Sequence, residues 1–115
     1  MKRRYRLRKN ADFQQVRRRG QSKSNRIIVL IALPNNLNHS RFGFAVNKRV
    51  GKAVKRNKIK RQMREAARLR IAQIQAGWDF VFIARGPIVE ASYQQIDEAI
   101  KSLLKKIKVY QEIEK

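Results

Sequence analysis

The sequence predicts a single α+β domain, an α/β sandwich whose elements run helix, three strands, helix, strand, helix (α-β-β-β-α-β-α). Three observations predict it. Phe42-Gly43-Phe44-Ala45-Val46-Asn47 alternates large apolar with small or polar residues, the period of a strand with one core face. Past Gly51 the period changes, and Ile59, Met63, Ala66, Ala67 and Ile74 recur at helical spacing. No internal repeat or low-complexity linker divides the 115 residues, a length sufficient for one core and marginal for two.

Taken in order, residues 1–9 are a basic segment expected to be flexible. Asn10 is the expected N-cap of a first helix over 11–19, where Phe13 and Val16 share a face, Arg17, Arg18 and Arg19 add charge, and Gly20 ends it. Residues 21–25 suit a short edge strand. Residues 26–33 are nearly continuously apolar, as in a strand covered on both faces. Pro34-Asn35-Asn36-Leu37-Asn38-His39-Ser40 is a loop by composition, returning antiparallel into a strand over 41–47. A basic helix over 55–75 follows, stopped by Gly77. Residues 79–85 form an apolar strand and Gly86-Pro87 a turn. Ser92 with Gln95 makes a capping box for a last helix, whose stripe is Ile96, Ala99, Ile100, Leu103, Leu104 and Ile107. Residues 111–115 are polar and expected to fray.

Charge decides the class of partner. With 29 Lys plus Arg against 8 Asp plus Glu, the net charge of +21 far exceeds what solubility requires, so a polyanion is expected. An apolar fraction of 43% makes this a folded domain carrying charge and not a basic disordered tail. On the second helix Arg56, Lys60 and Arg64 stack at steps of four beside the apolar stripe, and Asn57, Arg61, Arg64 and Arg68 make a second polar row. Cations so placed recur at about 6 Å, near the phosphate spacing of a nucleic-acid strand. An ordinary solvated helix carries acids at the same spacing, whereas here Glu65 alone interrupts. Nucleic-acid binding is therefore the expected function of this helix.

Other classes are excluded in turn. There is no cysteine for disulfides, thiolate metal sites or nucleophiles. The basic start is not followed by the apolar stretch of a signal peptide. The longest apolar run, 27–33, is far short of the roughly 20 residues that span a bilayer, so a soluble, cytoplasmic protein with no membrane partner is expected. His39, the only histidine, lies in the loop and is expected at the surface. The eight carboxylates, Asp12, Glu65, Asp79, Glu90, Asp97, Glu98, Glu112 and Glu114, form no tight cluster, so neither catalytic residues nor metal ligands are expected in the protein. Gly43, Gly51 and Gly86 make no phosphate loop, and no small-molecule substrate is expected. Nothing marks a helix-turn-helix pair or a dimer seam.

The run Phe42-Gly43-Phe44-Ala45-Val46-Asn47-Lys48-Arg49-Val50-Gly51-Lys52-Ala53-Val54, followed by Arg56-Asn57-Lys58-Ile59-Lys60-Arg61 and Arg64-Glu65, resembles the protein component of bacterial ribonuclease P. Leu7-Arg8-Lys9-Asn10-Ala11-Asp12-Phe13, Phe82-Ile83-Ala84-Arg85 and Gly86-Pro87 extend the likeness over most of the chain. The family's arginine-asparagine-arginine signature falls on Arg56-Asn57-Lys58, where lysine keeps the charge but not the planar guanidinium.

That resemblance implies one RNA-binding domain over residues 1–115, an accessory subunit of the ribonucleoprotein that removes the 5′ leader from precursor tRNA. The chemistry would belong to the catalytic RNA and the magnesium ions it requires, with no cofactor held by the protein. It implies that Arg56, Asn57, Lys58, Lys60, Arg61, Arg64 and Arg68 face the catalytic RNA. A cleft would hold the single-stranded leader, with Phe13, Arg17, Ile31, Asn47, Lys48 and Arg49 as its residues. Family members often carry aromatic residues where Arg17 and Ile31 stand. The implied fold has a left-handed crossover between parallel strands, as in the ribosomal protein S5 domain 2-like fold, against the usual handedness. A second reading, a ribosomal or general structural RNA-binding protein without a role in cleavage, shares the charge but not the ordered Arg56-Asn57-Lys58 signature after Asn47-Lys48-Arg49.

Overall fold

A four-stranded sheet divides the molecule into two layers of unequal size. A computed structural model describes residues 1–111. Its elements are α1 (Asn10–Arg19), β1 (Gln21–Ser24), β2 (Ile28–Pro34), β3 (Arg41–Val46), α2 (Ala53–Arg68), β4 (Trp78–Ala84) and α3 (Tyr93–Lys106). Short 3-10 turns at Lys48–Val50, Ile71–Gln73 and Gly86–Glu90 join the later elements. The α+β class and the element order are those the sequence predicts.

Strand order is β1-β2-β4-β3, and this corrects the expected loop return. β3 does run antiparallel to β2, but β4 lies between them, antiparallel to β2 and parallel to β3. β4 presents Phe80 and Phe82 to one face and Val81 and Ile83 to the other, and a strand apolar on both sides is stable only when covered on both. The 34–40 loop therefore closes on itself. Asn35 Oδ1 accepts from the Leu37 N–H at 2.8 Å and its amide donates to the His39 carbonyl and to Asp79. His39 is partly exposed, edge-on to Tyr5.

The larger layer packs α2 and α3 on Ile28, Leu30, Ala32, Phe42, Phe80 and Phe82. Phe42 stacks on Phe80 and Phe44 on Phe82, with ring centroids 5.3 and 5.5 Å apart. Phe42, Phe80 and Phe82 are fully buried, and each stabilises the fold by about 1.5–3 kcal/mol. α3 follows the expected capping box: the Gln95 N–H donates to Ser92 Oγ and the Ser92 N–H to Gln95 Oε1. The smaller layer is α1, whose Val16 joins Leu7, Ile31 and Val81 in a second buried cluster.

Several boundaries differ from expectation, most by one or two residues. Asn10 begins α1 and Lys9 occupies the cap position without a side-chain bond, its carbonyl accepting from the Asp12 and Phe13 N–H groups. α2 ends at Arg68, not near residue 75. Arg70 leaves the helix axis to bond Asp97 and the Tyr110 hydroxyl, which turns the chain and brings Ile74 to a bridge with Tyr110. Gly77 is consequently no helix stop but a left-handed residue, φ +92°, leading into β4. Of the tail expected to fray, Gln111 donates its N–H to the Gln73 carbonyl, and the remainder lies outside the described residues.

Candidate nucleic-acid interface

β3 is the hinge of the site, because its two faces serve opposite sides of the sheet. Phe42, Phe44 and Val46 point to the α2 layer, and Gly43 and Ala45 to the α1 layer, as the alternation predicts. The loop that follows, Asn47-Lys48-Arg49, is exposed, and Asn47 Oδ1 accepts from the Arg49 N–H at 2.9 Å to fix the turn into α2.

On the α2 side, Ile59, Met63, Ala66 and Ala67 bury the stripe. Arg56, Lys60 and Arg64 are half-buried along its border, while Asn57, Lys58, Arg61 and Arg68 are exposed. The two cationic rows are therefore distinct in environment. Arg56 donates from Nη1 to the Gly51 carbonyl at 2.9 Å, so this arginine also closes the loop before the helix. Arg68 forms a forked pair with Glu65, at 2.5 and 2.9 Å, and that hydrogen bond holds the Glu65 carboxyl below its usual range. Arg64 lies over the Phe44 ring, 5.9 Å from its centroid. The first turn of α2 contains no acid, and Lys52 caps it without a side-chain bond, which leaves the positive end of the helix dipole undiminished.

The basic N-terminal segment, expected to be flexible, is laid against the edge of β3. Leu7 is 4% exposed and donates its N–H to the Phe42 carbonyl at 2.8 Å, and Arg6 bridges to Phe42 in parallel. A concavity of about 460 Å³ results, lined by Arg3, Arg4, Arg6, Arg8, Lys9, Arg41 and a single acid, Asp12. Asp12 bonds Arg41, which Asp79 also grips in a fork at 2.6 and 2.8 Å. These N-terminal cations are absent from the sequence-based list. Leu7, an isolated apolar residue within a charged run, was the signal that the segment docks.

On the α1 side, strand register sets three rows across the sheet: Leu33-Asp79-Arg41, Ile31-Val81-Gly43 and Val29-Ile83-Ala45. The first is tied to α1 through Asp12. The middle row lies under α1, and Phe13 sits so closely over Gly43 that a Cβ there would come within 2.4 Å of its ring. The third row is half-exposed and leads toward Asn47. Beside α1 this row is half-exposed apolar surface, and Arg17, Lys48 and Arg49 are exposed. Ile31, expected among the leader-binding residues, lies in the middle row under α1. At 9% exposure it packs with Val16 and Val81, and the half-exposed positions one step along the same face are Val29, Ile83 and Ala45.

No helix among the described residues is long and apolar enough to cross a membrane. Four of the six described carboxylates are in ion pairs with arginines, so the acids offset scaffold cations more than those of α2.

Residues 1–108 match the family model described as Ribonuclease P. A ribonuclease P protein component from Roseiflexus castenholzii is 46% identical over 112 residues, covering 96% of this chain and 92% of that protein. One from Alkaliphilus oremlandii is 43% identical over 102 residues, covering 89% and 90%. Among solved structures, the RNase P protein of Staphylococcus aureus superposes with a TM-score of 0.86 at 39% identity, over 93% of this chain and 98% of that one. That of Thermotoga maritima gives 0.83 at 34% identity, over 90% and 97%. With a match over nearly its whole length in both sequence and fold, the chain belongs to the bacterial ribonuclease P protein family.

Proposed function

We propose that this chain, as a ribonuclease P subunit, assists removal of the 5′ leader of precursor tRNA by serving two RNA partners from the two faces of β3. The α2 rows, Arg56, Asn57, Lys58, Lys60, Arg61, Arg64 and Arg68, face the catalytic RNA. The cleft beside Phe13 and Arg17, floored by Val29, Ile83 and Ala45 and rimmed by Asn47, Lys48 and Arg49, holds the single-stranded leader, whose bases stack on apolar surface while its phosphates meet the rim. Magnesium bound by the RNA supplies the hydrolytic chemistry, and the protein neutralises phosphates so that leader and catalytic RNA approach. The compartment that follows from these partners is the cytoplasm.

The observation that carries this reading is the meeting of both surfaces at Asn47-Lys48-Arg49, where β3 ends and the turn into α2 begins. One short loop thus borders both a cation-lined helix and an apolar-floored cleft. The test is cleavage of a precursor tRNA by a bacterial ribonuclease P RNA at low magnesium, with and without the protein. Strong rescue is expected, reduced by Lys58→Ala with Arg61→Ala, both exposed and outside the core. Tight RNA binding with no rescue would overturn the role in processing.

A further inference from the structure

Arg6 and Arg64 come from distant parts of the chain to the same edge of the sheet, where the N-terminal segment lies along β3. Arg6 is placed by its bridge to Phe42, which directs it to the α2 face, since the neighbouring Leu7 enters the α1-side cluster. Arg64 is placed by α2 and by the ring of Phe44, itself stacked on Phe82. Neither guanidinium is in an ion pair among the described residues, unlike Arg41, Arg68 and Arg70, each of which has a carboxylate. Arg64 Nε is also the one buried side-chain nitrogen or oxygen among the described residues that has no hydrogen-bond partner. Burial, and then repulsion from Arg6, hold the Arg64 pKa below the ordinary guanidinium value. Two neighbouring cations, neither paired with a carboxylate among the described residues, are costly in the free protein and complementary to an oxyanion.

We infer that Arg6 and Arg64 form a two-guanidinium clamp that grips a single phosphodiester of the catalytic RNA at the β3 edge. This rests on the reading of α2 as the face toward that RNA, and it adds the N-terminal segment to the same contact. Arg64 supplies the outer Nη groups of a guanidinium held over Phe44, and the exposed Arg6 closes from the other side. The clamp is a junction. On the Arg6 side the cation-lined concavity carries positive potential back toward Arg3 and Arg4, and on the Arg64 side Lys60 and Arg61 carry it along the helix. The N-terminal segment is thereby a fixed part of the interface, clipped in place by Leu7, and not a loose polycation.

A double-mutant cycle tests it, with affinity measured for the catalytic RNA and, in a parallel arm, for leader-bearing precursor tRNA. Arg6→Gln and Arg64→Gln should each weaken binding of the catalytic RNA about tenfold, and together little more than either alone, because both remove the same contact. The slope of log K against log salt should fall by about one, not two, in the double variant. Arg61→Gln combined with Arg6→Gln should multiply instead. Independent, multiplying effects of Arg6→Gln and Arg64→Gln, with tight wild-type binding, would overturn the clamp and leave the proposed function standing. Coupling seen only with precursor tRNA would overturn its assignment to the catalytic RNA. Absence of wild-type binding to the catalytic RNA would remove the proposed function and the clamp together. Urea unfolding of the same variants separates structural loss: unchanged or raised midpoints are expected, and an affinity loss that tracks a lost folded fraction would sink the clamp.

Discussion

Gly43 shows how one residue sets the seat of α1 on the sheet. Its missing side chain is what lets Phe13 lie on the sheet, and a Cβ would stand 2.4 Å from the ring tip. Gly43→Ala is expected to push Phe13 and α1 outward, destabilising the fold by about 1–3 kcal/mol in urea unfolding. Affinity for leader-bearing substrate should fall further than affinity for the catalytic RNA, and equal loss for both would detach Phe13 from leader binding. At this scale the sequence was informative where a residue type had one use. The Phe42, Phe44, Val46 alternation and the Ser92-Gln95 box needed only local geometry. Ile31 was not legible, because whether an apolar strand residue lies under a helix or beside it depends on where that helix comes to rest.

Elements differ in how much of their charge is available. α2 carries one internal acid, and Glu65 holds Arg68 in a fork at the exposed C-terminal end of the helix. Glu65→Gln should release Arg68 and raise affinity for the catalytic RNA about two- to fivefold, the scale of an exposed pair. Unchanged affinity would place Arg68 outside the interface. Protonation should act in the same direction. Because Arg68 depresses the Glu65 pKa, the pair is intact above the ordinary carboxylate pKa and is lost only as pH falls through the lower folded value. The early end of α2 was hidden from periodicity. Ile74 fits the helical stripe by spacing, yet Arg70 bonding Asp97 and Tyr110 turns the chain before that residue is reached. β4 did carry a local signal, its continuous apolar run, which marks a central strand. The identity of its neighbours did not follow from that run.

Across the whole molecule, a net charge of +21 is distributed so that acids pair with scaffold arginines and most cations of α2 have no carboxylate. If about six phosphates are neutralised, affinity for the catalytic RNA should fall roughly a thousandfold between 50 and 200 mM salt. A slope near zero would remove the electrostatic basis of the interface. The sequence alone determined the α+β class, the helical stripes and the cationic rows of α2, since periodicity and net charge are summed over neighbours along the chain. Tertiary structure decided which strands pair, that Leu7 docks the N-terminal segment on β3, and that Ile31 is buried under α1 while Val29, Ile83 and Ala45 stay half-exposed. Those outcomes depend on contacts between residues tens of positions apart. They are settled by competition for burial on the two faces of one sheet, which no local pattern records.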